Sequence, residues 1–284
     1  MRSLTRFAEV ALAAALLLMT GAVARAQSSE QAAARKKVIA DLKEVGYAGD
    51  VMAQVRLGVI YLTGDGVPKD DVEAVKWLRL AADQDNPVAE RYLAEMYFKG
   101  RGVAPDNEEA AKWLRMAADQ GDAQSQYNLA VLYSQGQGVP RNLKESLNWM
   151  TKAAEQNLAA GQMGLGVAYG NGDGVLANPA LAAAWYQKAV DQNYVPAINN
   201  LAMLMATTTN AQVRNPKQAI ALATRAVGGG SNPDYLNTLA AAYFADGQTD
   251  QAVATEEKAL ARDPENDSYK KAYEKYQATA HASR

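Results

Sequence analysis

Leu57-Gly58-Val59-Ile60-Tyr61-Leu62-Thr63-Gly64-Asp65-Gly66-Val67-Pro68-Lys69-Asp70-Asp71-Val72-Glu73-Ala74-Val75-Lys76-Trp77-Leu78 is the stretch that decides the fold. Its landmarks return at a fixed interval. Leu57, Leu93, Leu129, Leu165 and Leu201 stand 36 residues apart, and so do Tyr61, Tyr97, Tyr133 and Tyr169. All four tryptophans of the chain, Trp77, Trp113, Trp149 and Trp185, fall on the same ruler. A self-similar period of this length is the signature of a repeat architecture.

Each unit reads as two helices joined by a turn. Glycine pairs recur at Gly64 and Gly66, Gly100 and Gly102, Gly136 and Gly138, and Gly172 and Gly174. Such pairs suit a connection that needs positive φ. The residue after each leucine is small (Gly58, Ala94, Ala130, Gly166, Ala202), as expected where a neighbouring helix crosses closely. The second helix opens on Asp70, Asp106, Asn142 or Asn178, all good N-cap side chains. Glu73, Glu109 and Glu145 follow three positions later, which predicts a capping box in three units. The fourth unit instead has Pro179 at the first helical position. Ala74, Trp77, Leu78, Ala81 and Ala82 then form the stripe of a helix with one buried side. Asp85, Gly121, Asn157 and Asn193 close these helices with residue types that mostly tolerate a left-handed conformation.

This pattern resembles the Sel1-like repeat, a relative of the tetratricopeptide repeat. The resemblance implies an all-α, right-handed α-solenoid of tandem helix-turn-helix units. Four full repeats occupy 50–193, and a degenerate fifth, 194–230, has lost the glycines and the tryptophan but keeps Asn215-Pro216. Residues 231–266 have the spacing of a tetratricopeptide unit (Leu239, Tyr243, Gly247, Ala252, Ala259, Pro264), with Glu256 where that family carries an aromatic. The segments 27–49 and 267–284 read as capping helices, which a solenoid needs for solubility.

The first 26 residues are read as a cleavable export signal. Arg2 and Arg6 precede an apolar run from Val10 to Met19, and Ala24-Arg25-Ala26 supplies a small-x-small site, so the mature chain is expected to start at Gln27. The run is shorter than the ~20 residues a membrane span requires. Without residues 1–26 the chain keeps 26 basic and 30 acidic side chains, a mild excess of negative charge. Mixed signs of this kind give no electrostatic footprint for nucleic acid. There are no cysteines, so disulfides, thiolate catalysis and zinc–thiolate sites are excluded.

No catalytic constellation emerges, and no cofactor or metal is expected. The single histidine, His281, stands near the terminus without a partner His or Cys. Ser268-x-x-Lys271 matches a serine-hydrolase motif whose companion motifs are missing. The glycine pairs follow helices rather than strands, so they are turns, not phosphate cradles. Asp70 and Glu73 are accounted for as helix-start residues.

The expected function is therefore non-enzymatic: a scaffold or adaptor of the bacterial envelope, periplasmic or secreted, holding a protein or peptide. By the family geometry the concave surface is lined by the first helix of each repeat. The expected partner-binding residues are Val55, Val59, Leu62, Arg91, Glu95, Phe98, Gln124, Tyr127, Val131 and Met163. Lys76, Arg79, Lys112 and Arg115 read as a solvated outer face. Two alternatives are a penicillin-binding or β-lactamase-like hydrolase, implied only by family analogy, and a structural subunit of a secretion or polysaccharide-export assembly.

Overall fold

A computed structural model describes residues 31–228 and 232–282. The expected signal segment, 1–26, lies outside the described residues. The chain divides into two compact units, the first ending at Ala117 and the second beginning at Ala118, and each is treated by itself.

The first unit contains α1 (31–47), α2 (Val51–Thr63), α3 (Asp71–Ala82), α4 (Pro87–Lys99) and most of α5 (Asn107–Asp119). The second contains α6 (Ala123–Gln135), α7 (Leu143–Glu155), α8 (Ala159–Asn171), α9 (Pro179–Asp191), α10 (Val195–Thr207), α11 (Pro216–Gly228), α12 (Pro233–Ala245), α13 (Thr249–Arg262) and α14 (Asp267–Ala282). No strand occurs among the described residues. The fold class is all-α: tandem helix pairs in the manner of an α-solenoid, each packed on its neighbours within a unit.

The ruler positions make the core. Leu57, Trp77, Leu78, Leu93 and Met96 are fully buried in the first unit, and Leu129, Leu165, Ile198 and Leu201 in the second. Burying one such side chain contributes roughly 1.5–3 kcal/mol. The small residues after the leucines set the closeness of the crossings. A Cβ on Gly58 would stand 2.5 Å from Leu78 Cγ, and one on Gly166 would stand 2.4 Å from the Tyr186 ring.

The turns follow the sequence. All eight paired glycines have positive φ, and so do Asp85, Gly121, Asn157 and Asn193. Gly102 packs where a Cβ would come within 2.2 Å of the Asp71 carbonyl oxygen at the start of α3. Arg101 clamps the same place, donating from Nη2 to Asp71 Oδ1 at 2.6 Å and from Nε to Oδ2 at 3.1 Å. That guanidinium holds the Asp71 carboxyl below the usual carboxylate range. The turn of one repeat is thus fastened to the second helix of the repeat before it.

The helix starts are capped, though not by full capping boxes. Asp70, Asp106 and Asn142 accept from the Glu73, Glu109 and Glu145 amides at 2.9, 2.9 and 3.1 Å. The return bond is not made. The backbone N–H groups of Asp70, Asp106, Asn142 and Asn178 donate instead to the carbonyls of Tyr61, Tyr97, Tyr133 and Tyr169, at 2.7–3.0 Å. This frees Glu73 and Glu109 to pair with Lys76 and Lys112, one turn on. The recurrent tyrosine position therefore also anchors the second helix to the first through its main chain.

A buried amide series ties the repeats together. Gln54, Gln126 and Gln162 lie at one repeat position, and all three are buried. Each side-chain N–H donates back to a carbonyl at the end of the preceding helix pair: Gly46 (2.8 Å), Ala118 (3.1 Å) and Ala154 (3.5 Å). Each side-chain oxygen accepts from a second glutamine, Gln84, Gln156 or Gln192, at 2.8–2.9 Å. The fifth unit has Ile198 at this position. Arg225 of α11 takes over, donating to the Val190 carbonyl (3.5 Å) and to Asn193 Oδ1. Left unpaired, buried amides of this kind would cost about 1–3 kcal/mol each.

Arg79 departs from the expected solvated face. It is half-buried, hydrogen-bonds the Tyr97 hydroxyl of the next repeat and lies 4.9 Å from the Trp113 ring centroid. A guanidinium stem and plane cover aromatic surface well, which makes this position a bridge between repeats.

Candidate partner-binding surface

The first helices of the third and fourth repeats, α6 and α8, stand on α7 with a cleft of about 360 Å³ between them. Tyr127 and Ser134 of α6 form one wall, Met163 and Val167 of α8 the other, and Leu147 and Met150 of α7 the floor. Arg141 and Asp173, from the two repeat turns, stand at the mouth. Arg141 is fixed there by donating from Nε to the Ser134 carbonyl at 3.0 Å.

The sequence around α8 explains the opening. Ala160, Gly161, Gly164 and Gly170 leave this helix with few bulky side chains. The Met150 side chain fills the space over Gly164, where a Cβ would stand 2.5 Å from Met150 Sδ. Two flexible thioethers beside a tyrosine make an adaptable apolar surface, since methionine rotates freely and packs well against aromatic edges. Burial raises the Tyr127 pKa, so its hydroxyl stays protonated at neutral pH and is available as a hydrogen-bond group.

The other expected positions distribute as follows. Val131 is half-buried on α6 and is not one of the cleft walls, and Gln124 donates to Asn128 Oδ1 at 3.0 Å. In the first unit Val55 is buried in the core, while Val59 and Leu62 are half-buried on α2. On α4, Arg91 lies over the Tyr92 ring at 5.4 Å, Glu95 pairs with Lys99 at 2.6 Å, and Phe98 is 43% exposed. Tyr127 and Met163 are the two expected residues that share the cleft. The floor residues Leu147 and Met150 escape a reading confined to first helices. Their signal was available in the ruler: Leu78, Leu114, Met150 and Tyr186 occupy one repeat position.

A second cleft, of about 540 Å³, opens at the far end of α9 around Trp185, Lys188, Glu155 and Asp191. Trp185 is the one tryptophan of the four that is only half-buried. Lys188 Nζ caps its ring at 3.7 Å, and the neighbouring Gln162, Gln192 and Asn157 are engaged with one another. Their polar capacity is consumed by the amide series.

Among the described residues no group of three or more His, Asp or Glu side chains converges as metal ligands. His281 and Ser268 are exposed on α14. No helix among the described residues is long and apolar enough to cross a membrane.

The Sel1 repeat model matches residues 51–86, 87–122, 123–158 and 159–194. The chain belongs to the Sel1 repeat family. Among solved structures it is similar to a Sel1 repeat protein from Oxalobacter formigenes, with 27% identity over 74% of this chain and 85% of that one, at a TM-score of 0.64. It is also similar to c5321, described as a protective antigen present in uropathogenic Escherichia coli strains and displaying the same type of repeat fold. That match has 29% identity, covers 79% of this chain and 56% of the other, and has a TM-score of 0.55. Pseudomonas aeruginosa PilF shares the fold at 19% identity and a TM-score of 0.58, over 81% of this chain and 97% of that one. No curated protein matches. Repeats of this fold commonly serve as protein-interaction scaffolds.

Proposed function

We propose that this chain is a non-enzymatic scaffold or adaptor of the bacterial envelope that holds a protein or peptide partner against its first-helix surface. The observation that carries the reading is the cleft between α6 and α8, where Tyr127, Met150 and Met163 present apolar and aromatic surface rimmed by Arg141 and Asp173. Aromatic anchors in a pocket supply most of the energy in protein recognition. The cleft floor and walls belong to three helices packed on one another, α6 and α8 on α7.

The test is capture from an envelope fraction by the purified chain, repeated with Tyr127→Ala plus Met163→Ala. The double variant should keep the helical content of the parent, with a modest loss of thermal stability, while its affinity for the captured protein falls at least about tenfold. Equal retention by both would remove the cleft as the binding site.

Export to the periplasm is part of the same proposal and rests on the leader-like segment. Sequencing the amino terminus of the protein recovered from the producing cell should begin at Gln27. Recovery of the intact Met1 start from the cytoplasm would overturn it.

A further inference from the structure

The last three helices hide a carboxyl group in an apolar seam. Ala252, Glu256 and Ala259 form one stripe of α13, at the spacings that bring side chains to a single helix face. Ala252 packs with Ala240 and Tyr276, and Ala259 with Leu236 and Tyr269. Glu256 stands between these two clusters and is fully buried. The seam it occupies is the one that attaches the closing helix, α14, through Tyr269 and Tyr276.

The groups around Glu256 do not neutralise it. Its hydrogen-bond partner is the Asn237 amide of α12, whose nitrogen, in the orientation that satisfies both groups, donates to Oε1 at 3.1 Å and Oε2 at 3.2 Å. From α14 it faces the phenols Tyr269 and Tyr276, both held protonated by burial. Beyond Tyr269 stand two further acids: Asp234 of α12, which accepts the Tyr269 hydroxyl, and Asp263 at the end of α13. No cation is among these neighbours. Burial pushes the Glu256 carboxyl up to about 7.

We propose that Glu256 is a proton-operated latch on α14: the protonated carboxyl holds the closing helix on α12 and α13, and ionisation loosens it. The charged form is penalised in the closed seam and relieved when α14 lifts and water reaches the carboxylate. The sign follows from the raised value. Docking is strongest below the ordinary glutamate range, weakens as pH climbs from about 4.5 towards 7, and levels off above that. The phenols are silent over this range, because the Tyr276 pKa is raised to about 12 and that of Tyr269 is raised as well. The device is independent of what the α6–α8 cleft binds.

Hydrogen exchange of the full chain at pH 5.5 and 8.5, corrected for intrinsic rates, tests the latch. Opening of α14 should rise about thirtyfold between the two pH values, from the linkage of a carboxyl near 4.5 when open and about 7 when closed. Exchange in α6 to α9 should stay flat and serves as the internal control. In Glu256→Gln the α14 protection should become independent of pH, and Glu256→Leu should behave likewise should the glutamine variant fold poorly. His281, exposed on α14, is retained in both variants. A parent whose α14 protection does not vary with pH, or variants that keep the parental pH dependence, would overturn the proposal.

Discussion

Gly102→Val should be among the most damaging single changes in the first unit, lowering its stability by about 2–5 kcal/mol. Two costs add here. A β-branched residue forced to the φ of +69° at this position loses about 1–2 kcal/mol of backbone energy. Its Cβ would also meet the Asp71 carbonyl oxygen at 2.2 Å and the Asp71 carbonyl carbon at 2.5 Å, and backbone cannot step aside as a flexible side chain could. Overpacking of that kind costs a further 1–3 kcal/mol or so. The turn would have to leave the start of α3, carrying Arg101 away from Asp71. Gly121→Ala, in the second unit, isolates the backbone cost: φ is +91° but nothing lies within 4 Å of the added Cβ, so about 1–2 kcal/mol is expected. Thermal unfolding followed by circular dichroism distinguishes them. Equal losses in the two variants would show that the turn is not seated against α3.

The tryptophan pair gives the second large effect. Trp77→Ala should cost about 3–5 kcal/mol, in the range for a buried aromatic cut back to a methyl. Trp77 is 1% exposed, its ring lies 4.6 Å from that of Tyr47, and a Cβ on Gly46 would stand 3.1 Å from it. Nothing nearby can close the hole without moving the end of α1. Trp185→Ala, at the same repeat position, should cost only about 1–2 kcal/mol, because its half-exposed ring already borders a cleft and one face is covered by the Lys188 side chain. Urea unfolding of both variants tests this. A loss at Trp185 as large as that at Trp77 would mean that the fourth tryptophan is core.

Spacing, turn glycines and N-caps are local properties, set by each residue's own backbone preferences, and they were legible at Gly64, Asp70 or Asn157 without any neighbour in view. Exposure is a property of packing. Trp77 and Trp185 are indistinguishable on the ruler but differ in their surroundings: Trp77 packs against Tyr47 and Gly46, whereas Trp185 borders an open cleft. Packing likewise sinks Val55 into the core while leaving Phe98 43% exposed. Arg79 looked like an outer-face charge because its partners, Tyr97 and Trp113, belong to the following repeat. The return half of the capping box is not made for a similar cause: the tyrosine carbonyl competes for the N-cap N–H, and main-chain competition leaves no mark on side-chain identity. In the cleft, Tyr127 and Met163 followed from repeat register, whereas Arg141 and Asp173 depend on turn geometry.

The buried glutamine series has a consequence for how such a chain can change length. Gln126 and Gln162 present the same chemistry to Ala118 and Ala154, two carbonyls at equivalent positions. Excising residues 123–158 would therefore hand the Ala118 carbonyl to Gln162, which keeps Gln192 as its partner and gives up the bond to Asn157 Oδ1. Genetic exchange in steps of one whole repeat is invisible to this part of the interior, while a cut one residue longer or shorter strands an amide in the dark. Beyond Gln162 the stitch changes. Ile198 cannot continue it and Arg225 finishes it with a different knot, so the array has a defined place to grow or shrink and a defined place where it must stop.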